Sequence, residues 1–428
     1  MRLALLSPLP PEQTGIADYA AHCRTALNQA GVDVLTPLQG QRPITSLAAA
    51  RAWVAERDWR RIDVVHAELG GGRHGEFLTL CALAALPNRP ALSATVHDPE
   101  RLVWKPVNGL WRAVNASTLL PRAAKQAVAL LSDPFTLMSE RALARRLDGL
   151  VTLTQTGADR LGKRMKLPPG RVSVIPHGVL TLPQVPLPEL QDALGETTIR
   201  VLYFGFIYSG KGIEDLIDAV GRLRNESPEI AGRIRVTIAG GTAPDIAFGS
   251  QGSYLAQLRE RAAKRGLGAQ VSWELDVDEH DIPGLIQRHH LMVLPYRESA
   301  KLALLGQMRG TSGALAWAIA CGRGAVTSDA RAFAEEISHG NGAAYRQGDV
   351  PALAMRLREV VEQPELLVQW AKQASLLAQA RAWPMTGQRL PATITSIPSS
   401  GRTASLLMVP RQMMPPCHSV TTVDRRIM

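Results

Sequence analysis

Cysteine is scarce: Cys23, Cys81, Cys321 and Cys417 are the only four, and no two form a C-x-x-C pair. That spacing argues against a disulfide framework or a thiolate metal site, and it fits a reducing, cytoplasmic setting. No apolar run reaches the ~18 residues that a membrane-spanning helix needs. The opening MRLALLSPLPPEQ carries one arginine and a short apolar stretch ended by prolines. It reads as a first β-strand and not as a signal peptide. H-E-x-x-H and G-x-S-x-G are both missing, and the adjacent His289 and His290 point apart. Zincin and nucleophile-elbow chemistry are thereby excluded. Aromatic residues make up 5% of the chain and do not interleave with basic ones, so a nucleic-acid partner is not expected.

Basic charge is abundant. The formal net charge is +10, and twelve Lys/Arg face four Asp/Glu between Arg101 and Lys166. An anionic partner, either a phosphorylated small molecule or a phospholipid surface, is the simple reading. Within 122–147, basic residues mix with Val128, Leu130, Leu131, Phe135 and Leu143. Pro134 interrupts that segment, which predicts two short helices able to lie on an anionic bilayer.

At 428 residues the chain exceeds one ordinary core, so two domains are expected. Short apolar strands alternate with helical periodicity nearly throughout: 3–6, 32–35, 61–66, 91–96, 149–153 and 172–175, then 201–204, 235–239, 270–273, 291–294 and 324–327. Alternation of this kind predicts α/β architecture, with two Rossmann-like, doubly wound parallel sheets. The proline-rich stretch 181–198 reads as a linker between a domain at 1–180 and a domain at 199–385. Over 386–428 helical periodicity fails, while prolines, serines and methionines accumulate, which predicts a disordered tail.

Ligands of such sheets bind beyond the carboxyl ends of the strands. VLYFGFIYSGKGIEDLIDAV, residues 201–220, is strand, glycine loop, lysine and helix. Gly205 ends the strand and Lys211 precedes the helix, an arrangement suited to phosphate. Gly212 stands where a Walker motif needs the hydroxyl that holds Mg²⁺, so the segment is not read as an NTPase loop. GTSGALAWAIACGRG places Thr311, Ser312 and Gly313 at a helix start made of small residues, open to a diphosphate. His97 and Asp98 end the strand 91–96, where a neutral imidazole can hydrogen-bond a reacting sugar hydroxyl. Glu298, in LPYRES, is placed to bond a ligand hydroxyl. Gly15 and the run Gly70-Gly71-Gly72 follow two strands of the first half.

The order PLPPEQTGIADYA, TVHDPE, IPHGV, FGFIYSGKGIEDLIDA, VTIAGG, VLPYRES, SGALAWAIACGRGAVTSD and AEEISHGNG resembles the retaining family 4 glycosyltransferases of the GT-B fold, over residues 1–380. The resemblance implies transfer of a sugar from a nucleotide-sugar, of the GDP-mannose or UDP-glucose type, to a glycan or polyprenyl-linked acceptor. It implies no cofactor and no metal. Gly15 would lie against donor phosphates and acceptor. His97 would hydrogen-bond the transferred sugar, Lys211 would neutralise the diphosphate, and Ser312 and Gly313 would cradle it. Three positions depart from the family pattern. Phe206 stands where an arginine is common, and Arg309 and Trp317 stand where two glutamates belong. Glu298 is then the candidate acid, and Arg309 the candidate substitute for the missing arginine. A catalytically silent binding protein on the same fold is the alternative that these departures raise.

Overall fold

The computed structural model describes residues 1–12, 14–104, 106, 114, 121–191, 197–241, 251–298, 305–307 and 310–395. The first half runs β1 (Arg2–Leu6), α1 (Gly15–Gln29), β2 (Asp33–Leu35), α2 (Leu47–Ala55), β3 (Val64–Leu69) and α3 (His74–Leu83). It continues β4 (Ala91–Val96), α4 (Arg122–Arg146), β5 (Gly149–Thr152), α5 (Gln155–Met165) and β6 (Val172–Val174). The second half opens with β7 (Ile199–Phe204), α6 (Ile213–Glu226), α7 (Pro228–Gly232), β8 (Ile234–Gly240), α8 (Gln251–Lys264) and β9 (Val271–Leu275). Next come α9 (Ile282–Gln287), β10 (Leu291–Leu294), α10 (Gly313–Ala320), β11 (Gly324–Ser328), α11 (Phe333–Ile337) and β12 (Gly342–Tyr345). Three helices close the described chain: α12 (Val350–Glu362), α13 (Glu365–Ala380) and α14 (Trp383–Thr395).

Each half is a six-stranded sheet, in the orders β2-β1-β3-β4-β5-β6 and β12-β11-β10-β7-β8-β9, with every neighbour parallel. The strands are near-continuous apolar runs because helices cover both faces. Val201, Leu202 and Tyr203 of β7 and all of β10 are buried in the second core. The strand order reverses between β1 and β3, and again between β7 and β10. Crevices open at such switch points.

Three expectations need correction. β3 runs on to Leu69, three residues past His66, so Ala67, Glu68 and Leu69 are strand rather than loop. α4 runs unbroken through Pro134. A proline inside a helix forfeits one hydrogen bond and costs ~3 kcal/mol, but this helix is tied down on both sides of it. The buried Arg101 guanidinium pairs with Asp133 and donates to Glu140 at 2.8 Å, and Glu140 also accepts the Leu102 and Val103 amides at 2.6 and 3.0 Å. Finally, the chain remains helical to Thr395, so 386–395 is helix where disorder was expected, and the rest of that expected tail, 396–428, lies outside the described residues. α14 packs back on α1 of the first half, and a Cβ at Gly387 would stand 2.5 Å from the Ala26 carbonyl oxygen. Tertiary packing overrides the weak propensity of Pro384, Gly387 and Pro391. Val179 pairs in parallel with Ala382, where the Val179 amide donates to Arg381 and the Trp383 amide to Val179.

Candidate active site

The switch point of the second sheet brings the loop after β7 against the loop after β10. Gly212 sits at φ +66°, and a Cβ there would lie 1.8 Å from the Pro295 carbonyl oxygen, so no other residue fits this crossing. The Arg297 amide donates to Gly210 at 3.0 Å, and its guanidinium forks onto buried Asp215 of α6. Lys211 is thereby set beneath Tyr296, with its ammonium 3.7 Å from the ring centroid and 5.2 Å from that of Tyr208. Lys211 is 9% exposed, and among the described residues no carboxylate lies within ion-pair reach of it. Burial pushes its ammonium down to about 8, with Tyr208 opposing the fall and the Arg331 charge adding to it. A buried cation left without an acid is poised for an anionic ligand.

The Tyr296 hydroxyl lies 3.2 Å from Ser312 Oγ, and Gly205 ends β7 beside it. Ser312 is the N-cap residue of α10 by position, but its hydroxyl faces Tyr296 and makes no cap hydrogen bond. Gly313 is exposed, with open space where a Cβ would point. The Thr311 hydroxyl is buried and has no partner among the described residues. The free amides of a helix start, an unpaired hydroxyl and a buried ammonium thus converge on one cradle, and each of these groups favours an anion.

Arg331, which sequence reasoning missed, joins this cradle. It sits at φ +57°, donates from its side chain to the Thr311 carbonyl at 3.3 Å, and lies 5.6 Å from the Tyr296 ring centroid. The second cation thus comes from the turn after β11. Phe206 instead packs over Gly241, and Arg309 lies outside the described residues. Glu298 Oε1 accepts the Arg331 amide at 3.1 Å, and the Glu298 amide donates to Gln347 at 2.8 Å. Trp317 is half-buried against the second core, so a core aromatic fills that position.

The first half meets this cradle directly. A Cβ on Gly310 would stand 2.0 Å from the His97 carbonyl oxygen. The end of β4 is therefore within a glycine's thickness of the segment leading into α10. The His97 ring stacks edge-on against Tyr19 at 4.7 Å, and its Nε2 lies 2.8 Å from Glu68 Oε2. Asp98 accepts the Gly71 amide at 2.8 Å through Oδ2, which pins the glycine loop after β3, while its Oδ1 would stand 3.7 Å from a Cβ on Gly310. Gly15 opens α1 with open space where a Cβ would point, and Thr14 caps the helix through the Ala17 amide. Arg73 ties this loop to the one after β3 through Glu12 at 2.6 Å and Thr14 at 3.3 Å. Further links cross between the halves. Glu335 accepts the Gln155 and Thr156 amides at 2.7 Å each, and the Gln307 amide donates to Glu100 at 2.9 Å.

Residues 191–376 match the family described as glycosyl transferases group 1, and residues 12–181 match Glycosyltransferase Family 4. The chain belongs to the group 1 glycosyltransferases. D-inositol 3-phosphate glycosyltransferase of Stackebrandtia nassauensis is 29% identical over 188 residues. That alignment spans 42% of this chain and 41% of the relative's length. Sucrose-phosphate synthase of Thermosynechococcus elongatus shares the fold, with a TM-score of 0.66 at 16% identity over 94% of this chain and 100% of that one. HepE of Anabaena in complex with UDP-glucose does so at 0.62 and 18% identity, over 92% and 100%. The lipopolysaccharide outer core galactosyltransferase WaaB follows at 0.63 and 12% identity, over 92% and 99%. The two facing sheets are thus the GT-B arrangement.

Proposed function

We propose that the protein transfers a hexosyl group from a nucleotide-sugar, of the UDP-glucose or GDP-mannose type, to a hydroxyl of a glycan or polyprenyl-linked acceptor. The observation that carries this reading is Lys211. It is a buried ammonium without an acid partner among the described residues, beside the open start of α10 and across Gly310 from His97. Lys211 and Arg331 hold the diphosphate, and Ser312, Gly313 and Thr311 cradle it. As the bond to the anomeric carbon breaks, negative charge builds on the leaving phosphate, and these groups stabilise it without reorganising. His97 binds a hydroxyl of the transferred sugar. Gly15 and Gly205 keep the walls close to the donor, Asp98 holds the loop that shapes the acceptor side, and Glu298 fixes the Arg331 turn. In this reading no side chain acts as a nucleophile, and the leaving phosphate takes the acceptor proton on the face it departs from, so configuration is retained.

The acceptor side is read as peripheral to an anionic membrane. Leu131, Phe135 and Met138 of α4 recur at i, i+4 and i+7 and are 75%, 65% and 66% exposed, in a strongly basic stretch. Among the described residues no helix is long and apolar enough to cross a membrane.

A thermal-shift panel of UDP-, GDP-, ADP- and CMP-sugars tests the donor assignment, with Lys211→Ala as control. A rise in melting midpoint with one nucleotide series, lost in the variant, is expected. A cooperatively melting protein that responds to none would sink it and favour the silent GT-B reading that Trp317 raises.

A further inference from the structure

The α1-facing side of β3 and β4 carries four polar side chains where a core would be apolar. The parallel register sets His66 beside Ser93 and Glu68 beside Thr95, and all four are fully buried. Within this cluster His66 Nδ1 lies 2.8 Å from Ser93 Oγ, and its Nε2 lies 2.9 Å from Thr95 Oγ1. Both hydroxyls are therefore occupied by His66, which leaves Glu68 to other partners.

Glu68 is fully buried and has one hydrogen bond, from His97 Nε2 to Oε2 at 2.8 Å. Oε1 has no hydrogen-bond partner among the described residues, and His66 Nε2 stands 3.5 Å from it. Burial alone would push this carboxyl up, but its interactions with His66 and His97 outweigh burial and hold it at about 2. An ionised carboxylate only accepts. Its single short contact therefore requires the proton to sit on His97 Nε2. Nδ1 is then the nitrogen with a free lone pair, and it has no hydrogen-bond partner among the described residues. The ring is 12% exposed, while Glu68 is wholly out of reach of solvent and substrate.

We propose that Glu68 is the positioning residue of His97, fixing the Nε2–H tautomer and the ring plane so that Nδ1 accepts a hydrogen bond from a hydroxyl of the transferred sugar. The inference rests on the sugar-transfer reading for what Nδ1 meets. It does not rest on that reading for the tautomer. A carboxylate that orients a histidine from behind is a recurrent device, because an imidazole free to flip presents the wrong nitrogen half of the time. Misorientation on this scale costs on the order of a hundredfold in rate.

The test uses the full chain labelled with ¹⁵N at histidine, with the His97 ring assigned by its loss in His97→Gln. The neutral ring is expected as the Nε2–H tautomer, with a downfield, exchange-protected Nε2 proton. In Glu68→Gln that proton moves upfield, and kcat falls at least tenfold while the donor KM stays within about twofold. An Nδ1–H ring in the native protein overturns the proposal, as does a folded Glu68→Gln with an unshifted proton and unchanged kcat. Should Glu68→Gln not fold, the native spectrum alone decides. Should no nucleotide-sugar be turned over, the spectrum still reads the tautomer, so failure of the sugar-transfer reading shows itself separately.

Discussion

The Lys211 ammonium lies 3.7 Å from the centroid of the Tyr296 ring, and the same ring's hydroxyl reaches Ser312 at the start of α10. One tyrosine thus joins the lysine loop to the helix that completes the cradle, and its electron-rich face substitutes for the carboxylate that a buried ammonium ordinarily finds. Removing the lysine should weaken donor binding without opening the fold. One charged contact to a diphosphate is worth ~1.5–3 kcal/mol, so Lys211→Ala is expected to raise the donor Kd tenfold or more by calorimetry. An unchanged Kd refutes the placement.

Lys211 also predicts two pH effects of opposite sign. Its value falls from the ordinary 10.5 to about 8 in the folded chain. Between those values the unfolded chain holds a proton that the folded chain has released, so the stability of the empty protein rises with pH from 8 to 10.5, by roughly 3 kcal/mol at most. Donor affinity needs the charged form and falls over the same range. Denaturant midpoints against pH, compared with Lys211→Met, should show the slope in the parent alone.

Arg331 separates binding from folding. It is one of three non-glycine residues at positive φ among the described residues, a conformation that costs ~1–2 kcal/mol. Arg331→Gly removes the cation and the strain together, while glycine's extra unfolded-state freedom offsets part of the gain. The expected result is a melting midpoint unchanged or slightly higher with donor Kd raised about tenfold. A large fall in midpoint would show that Arg331 holds the turn rather than the ligand.

Gly310→Ala tests the meeting of the two halves. The added methyl would stand 2.0 Å from the His97 carbonyl oxygen, closer than any real contact. β4 and the approach to α10 must then part by an ångström or more. Such a shift should lower kcat about a hundredfold with donor binding to the isolated cradle largely kept. Equal kcat in the two proteins would show that the contact does not position the reaction.

The exposed face of α4 gives a prediction outside the cleft. Leu131→Ser with Phe135→Ser should abolish flotation with anionic vesicles and leave turnover of a water-soluble acceptor analogue unchanged. Equal flotation of parent and variant counts against peripheral attachment.

Much of the proposed cradle is readable from the sequence because its two pieces are each local: a strand, a glycine turn and a lysine in one, a small-residue helix start in the other. Gly205, Lys211 and Ser312 were readable for that reason. Arg331 was not, because it reaches the site through the register of β11 beside β10, which no local spacing encodes. Tyr296 sat in view within LPYRES but reads as core until Lys211 is placed under it. Glu68 was lost to a strand boundary. With β3 ended at His66 it belonged to a loop, whereas a carboxylate inside the run VVHAEL is itself the signal that a buried partner awaits it. Pro134 and the segment after Trp383 misled because local breakers were outweighed by distant anchors, Arg101 for one and α1 for the other.

The chain passes between the halves twice, and the two passes run side by side where Val179 pairs with Ala382. A single linker would leave the halves joined at one point; here an isolated bridge of two backbone hydrogen bonds ties the outgoing pass to the returning one. Trp383, at that bridge, packs on Tyr19, and Tyr19 packs on His97. The crossing between the halves is therefore one aromatic ring from His97.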